Sequence, residues 1–275
     1  MATTARYLWH RLEAYHGLIY FAPEADQHYT ALGLDPGMMG YFASRAAAMG
    51  EVTPDVVVAT FYNFEPERIR TVVPQAWQRT TAAALWQARL RAVDATLTRI
   101  FGTRLGAPDV AEAAALLQSI VHGCAPEGRP LFAGHLSQEW PTEPHLALWF
   151  GITLLREYRG DGHIAALTVE GVSGIEALVL HAGTGAVPAA VLQSTRGWSD
   201  DAWAAAAERL ESRSWLDAGT LTVAGQQHRE RVERQTDELA AAPYARLDDA
   251  QIASLAALGK ELTTAIAGAG TFPRR

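Results

Sequence analysis

The run Arg156-Glu157-Tyr158-Arg159-Gly160-Asp161-Gly162-His163 gathers guanidinium groups, carboxylates and an imidazole into one short stretch. Guanidinium groups hold carboxylates and phosphates through paired N–H donation, and the free amides at a helix start favour the same anions. If one helix closes at Tyr158 and another opens at Gly162, Asp161 caps the second, and Arg156 and Arg159 lie beside its free amides. On the first of these helices His145, Trp149, Ile152 and Arg156 share a face, so His145 and Arg156 would frame an aromatic floor at Trp149. The competing reading is structural: Asp161 only caps, the arginines bond terminal carbonyls, and His163 is a first-turn surface residue.

Four residues of the first half join this candidate set. His16 and Tyr20 stand one helical turn apart, a spacing that suits a satisfied core pair or two ligand-facing groups. Arg45 and Asn63 are polar residues inside apolar helical patterns, and a buried arginine or asparagine needs a partner, either another side chain or a ligand.

Other chemistries are poorly served. The chain has no GxSxG elbow, no phosphate-binding GxxxxGK[ST] loop and no dinucleotide GxGxxG. It has no HExxH helix, and its single cysteine, Cys124, excludes the usual thiolate cages and an internal disulfide. No cofactor is therefore expected; a haem or metal held by histidines distant in sequence is the lesser alternative.

The elements that must position these groups are mostly helices. The chain has 275 residues, 49% of them hydrophobic and 19% charged, which is enough apolar material for a folded core. Its net charge of −7 opposes binding to a polyphosphate. No charge-free apolar run is long enough for a membrane span and the N-terminus lacks a signal-peptide core, so a cytoplasmic protein with no membrane partner is expected. Apolar spacing predicts helices over 5–21, 37–49, 54–64, 81–101, 109–122, 143–158, 162–170, 174–182, 189–195, 200–213, 225–241 and 249–268. The breaker-rich stretch 123–130 predicts a joint between an N-terminal helical domain, 1–125, and a C-terminal one, 126–275.

Within the second half, AAVLQSTR, a Gly197-Trp198 turn, SDDAWAAAAERLESRSWLD, the strand-turn-strand DAGTLTVAG and QQHRERVERQTDEL follow the order of a winged helix-turn-helix. AERLESRSWLD followed by LTVAGQQHRERVE resembles the recognition helix, wing and next helix of the MarR-type family. HGLIYFAPEA, GYFASRAAAMG, VVVATFYNF, LREYRGDGHIAAL and RVERQTDELAAAPY extend a resemblance to a family of actinobacterial proteins identified as winged-helix or MarR-like. That resemblance implies a mainly α fold of winged-helix-like units with a short β-wing. HYTALG, GMMGYFASRAAAMG and TPDVVVATFYNF predict a second, degenerate copy in the first half, a pseudo-duplication enclosing a cleft.

A winged helix that reads DNA carries cations on its second helix and wing. Here the segment 199–213 has four acids against Arg209 and Arg213, and the wing's one charged residue is Asp217. Arg229, Arg231 and Arg234 are interleaved with acids and read as a solvated helix face. The expectation is a small-molecule-binding protein on a winged-helix scaffold, its organic or anionic ligand held between the helical units. DNA is disfavoured as a partner; a MarR-like DNA-binding regulator and an enzyme of specialised metabolism using the same pocket are the alternatives.

Overall fold

The computed structural model describes residues 2–272. Its first half contains helices α1 (Ala2–Gly17), α2 (Pro23–Thr30), α3 (Met38–Ala46), α4 (Pro54–Phe61), α5 (Pro66–Arg79), α6 (Ala82–Phe101) and α7 (Pro108–Val121). Several start with proline at the first helical position, where its missing N–H costs no hydrogen bond. The fixed points are chemical: Glu65 accepts from the amides of Glu67 and Arg68 to cap α5, and Thr81 accepts from Ala84 to cap α6.

The second half continues with α8 (Pro130–Leu136), α9 (Pro144–Val169), α10 (Gly174–Ala182), α11 (Ala189–Arg196) and α12 (Asp200–Ser212). A hairpin of β1 (Leu216–Asp217) and β2 (Thr220–Leu221) follows, then α13 (Val223–Ala240) and α14 (Asp249–Gly268). The hairpin is antiparallel, pairing Leu216 with Leu221 and Asp217 with Thr220. Ala218 and Gly219 both take positive φ, as a tight two-residue turn between right-twisted strands requires. Gly197, at φ +84°, supplies the left-handed residue that ends α11 and turns the chain into α12.

The largest core packs α1, α6, α7, α9 and α14 around Leu8, Leu85, Leu117, Trp149, Phe150 and Leu262, drawing on both sides of Ala125. A second core, with Leu167, Val179, Ala206, Leu210, Leu216, Leu221 and Val232, joins the end of α9 to the helices and hairpin that follow it. A third holds Phe42, Val57, Phe61, Phe64, Ile69 and Leu131 between α3, α4, α5 and α8. In the described residues the first half has no strand, so no wing accompanies its helices.

The break expected between Tyr158 and Gly162 is absent: α9 runs unbroken for 26 residues. Gly162 marks a close approach instead of a helix start, since a Cβ there would lie 2.9 Å from Arg129 Nη1 and 3.2 Å from Leu239 Cβ. Arg129 fills that gap, donating to the carbonyls of Tyr158 and Leu239 with its guanidinium over the Tyr158 ring. No free amides therefore exist beside Arg156 and Arg159, and Asp161 is not the cap of its own helix. Its Oδ2 instead accepts from the Phe132 amide, 2.9 Å away, in the first turn of α8.

Candidate functional site

Helix α9 passes through two environments. Along its first half His145, Trp149 and Thr153 face the large core; beyond them Arg156 to Leu167 border a cavity of about 400 Å³. The remaining walls come from Trp9 of α1, α3, the end of α4 and the loop after it, Leu131 of α8, α10, α11 and α13. The cavity thus lies between the helix-turn-helix elements and the α3–α4 layer.

Of the ten residues singled out from sequence, six line this cavity: Arg45, Asn63, Arg156, Arg159, Asp161 and His163. The other four do not. Trp149 is fully buried in the core and donates to the His16 carbonyl, so it forms no floor beneath Arg156. His145 pairs with Asp94 at 2.7 Å. His16 hydrogen-bonds Thr153 Oγ1 at 3.0 Å and Tyr20 Oη at 3.1 Å, and Tyr20 in turn accepts from Arg89. Burial drives the His16 imidazole well below its ordinary pKa, assisted by Arg156, so it is neutral within this network.

Ion pairs organise the cavity wall. Glu157, 1% exposed, accepts from Arg45 Nε at 3.3 Å and Nη2 at 3.0 Å and from Arg156 Nη1 at 2.9 Å. Burial pushes the Glu157 carboxyl up, but Arg156 and Arg45 outweigh it and hold the group well below the usual carboxylate range. Arg45 also lies 4.5 Å over the Phe61 ring, where a cation meets the negative face of the π-system. Asn63 sits just past α4, not inside it, and its carbonyl accepts from Trp198 Nε1 at 2.9 Å.

Arg159 bridges Glu233 and Asp237 of α13 at 3.1 and 2.8 Å and lies over Trp9. His163 Nδ1 hydrogen-bonds Thr236 Oγ1 at 2.9 Å; burial lowers its pKa, opposed by Glu233. Burial likewise lowers His181 and His228, so all three imidazoles of the cavity favour the neutral form. Asp161 moves the other way: burial lifts it to about 6, against the Phe132 amide that favours its charged form.

Arg196, Arg229, His181, Glu157 and Glu233 also belong to the wall, although the sequence reading nominated none of them as ligand residues. Arg229 was expected on a solvated face, but it is half-buried against the cavity, whereas Arg231 and Arg234 are exposed. A signal existed: Arg229 stands three residues before buried Val232 and seven before buried Thr236, the spacing of an inward helix face. Among the described residues no three His, Cys, Asp or Glu side chains converge as metal donors. No single helix there is long and apolar enough to cross a membrane.

The loop after α4 joins the cavity to the helix-turn-helix. Tyr62 has φ +45° and ψ −51°, and the Asn63 amide bonds the Phe61 carbonyl across it, a tight γ-turn in a strained region of backbone space. Tyr62 Oη donates to the Val172 carbonyl at 2.6 Å, and the Glu65 amide donates to the Arg196 carbonyl at 3.0 Å. The Glu65 and Trp198 bonds fasten the turn between α11 and α12 to the cavity rim, and the Tyr62 bond fastens the connection between α9 and α10.

The helices α10, α11 and α12, the left-handed turn at Gly197 and the hairpin define a helix-turn-helix protein. The chain belongs to a helix-turn-helix family, whose model matches residues 5–273. No curated protein and no solved structure matches it.

Proposed function

We propose that this helix-turn-helix protein binds a small organic anion in the cavity between α9, α11, α13 and the α4–α5 loop. One observation carries the reading: the cavity wall holds five arginines, Arg45, Arg156, Arg159, Arg196 and Arg229, against three carboxylates, Glu157, Asp161 and Glu233, in a chain of net charge −7. A concave site of reversed sign concentrates anions. Apolar walls from Phe61, Phe64, Ile164, Leu178 and Leu192 suit the carbon body of such a ligand.

The order α10, α11, α12, hairpin, α13 supports reading the C-terminal half, from residue 126, as a MarR-like winged unit. A pseudo-duplicated unit in residues 1–125 rests on its helices alone. The family and the contacts fastening Arg196 and Trp198 to the cavity rim favour a second reading, a ligand-responsive DNA-binding regulator. Against it, the exposed side of α12 presents Asp200, Asp201, Glu208 and Glu211, while Arg209 is held by Glu176 and Arg213 by the Gly171 carbonyl. Duplex binding by phosphate contacts needs the opposite sign.

Native mass spectrometry and thermal unfolding across a panel of organic acids test the first reading. A binder at roughly one hundred times its Kd adds about 2.7 kcal/mol, a Tm rise of about 5–10 °C for a chain of this size. A panel that yields neither an adduct nor a Tm shift overturns it. Salt-sensitive, sequence-selective retention of duplex DNA would move the balance to the second reading.

A further inference from the structure

The cavity's charges differ in whether the protein already answers them. Arg45 and Arg156 share Glu157, and Arg156 also reaches Glu13 at 3.5 Å. Arg159 is answered by Glu233 and Asp237. Arg196 on α11 and Arg229 on α13 form no ion pair among the described residues. The Arg196 Nε is buried with no hydrogen-bond partner, and its guanidinium lies 4.9 Å over the Phe64 ring.

Both groups are buried enough that dehydration works against their charge, yet a guanidinium stays ionised at neutral pH. Arg196 from α11, Arg229 from α13 and His181 from α10 line the same cavity, and both cations act on the His181 imidazole, with Glu233 opposing them. A charge held in a partly dehydrated site without a paired counter-ion is costly. Arg229 has only the through-space attraction of Glu233, which Arg159 already engages, and no carboxylate acts on Arg196, so neither cation is fully answered.

Resting on the anion-binding reading, we infer that the ligand is an organic dianion: an apolar, ring-sized body bearing a phosphate monoester or two carboxylates, received between Arg196 and Arg229. The phosphate would present its two charges at one point; the dicarboxylate would give one to each arginine. Phe61 and Phe64, beside Arg45 and Arg196, receive the apolar body.

The test is calorimetric titration of the full chain with 1-naphthyl phosphate, naphthalene-1,4-dicarboxylate, 1-naphthoate and the uncharged 1-naphthamide. At least one dianion is expected to bind tenfold or more tightly than 1-naphthoate, and whichever dianion leads identifies the arrangement of charge. Arg196→Gln and Arg229→Gln should each shrink that preference below threefold while leaving the melting temperature within a few degrees. Equal affinity for 1-naphthoate and both dianions overturns the dianion assignment and leaves the cavity a site for simpler ligands. Equal binding of all four, 1-naphthamide included, removes the anion reading too. Failure of all four to bind overturns the dianion assignment and counts against the cavity as a ligand site.

Discussion

Arg45 and Glu157, 112 residues apart, meet as a two-point guanidinium–carboxylate pair at 3.3 and 3.0 Å, and Arg156 donates to the same carboxylate from the neighbouring position. This buried triad ties α3 to α9 at the cavity wall. Its geometry satisfies Glu157 fully, so the two arginines depend on the carboxylate as much as it depends on them.

Glu157→Gln should therefore destabilise the fold by about 3–5 kcal/mol, because it leaves buried Arg45 without its counter-charge and Arg156 with only Glu13 at 3.5 Å. Urea unfolding reads the loss. A change under about 1 kcal/mol would mean that water reaches Arg45 and Arg156 freely.

Asp161 has a folded pKa of about 6, above its ordinary 3.8, so the folded state binds the proton more tightly than the unfolded chain. Its contribution to stability is thus fully present below about pH 4 and is lost as pH rises through about 6. Asp161→Asn retains an acceptor for the Phe132 amide without the buried charge. Relative to the parent, the variant should gain on the order of 2–3 kcal/mol between pH 4 and pH 8. A difference between the two that stays constant over that range contradicts the assignment.

Trp198→Phe removes the indole N–H that the Asn63 carbonyl accepts while keeping an aromatic ring in the turn. A cost of about 1 kcal/mol is expected. Hydrogen exchange should also speed up at the Glu65 amide, whose acceptor is the Arg196 carbonyl beside the same turn. Unchanged exchange there would show that the loop and the turn are not coupled.

Cys124 is 7% exposed, and burial pushes its thiol up to about 12, with Arg129 and Arg246 only partly opposing. The thiolate is the reactive species, so the folded protein should resist a disulfide reagent at pH 8 and react fully once unfolded. Rapid labelling of the folded chain would mean that the α7–α8 connection opens readily.

Local chemistry wrote much of the fold into the chain. The bounds of α10 and α14 coincide with the expected ones because apolar spacing ends where capping residues begin: Ser173 and Asp248 each form a reciprocal capping box. The order of α10, α11, α12, the hairpin and α13, and the acidity of α12, could also be read directly. Proline-led α5 and α8 went unread; α5 has Pro74 inside it, and α8 has only 7 residues.

Packing between distant segments settled the rest. Whether Gly160-Asp161-Gly162 interrupts a helix depends on what approaches it, and Arg129 and Leu239 occupy the space that side chains would need. Whether an arginine is answered depends on carboxylates elsewhere in the chain, so spacing could nominate Arg45 but not name Glu157, and it misplaced Arg229. Helical periodicity specifies which face a residue occupies; the charge and apolar surface opposite that face come from other elements, and those determine where a cavity forms and which cations remain without a partner.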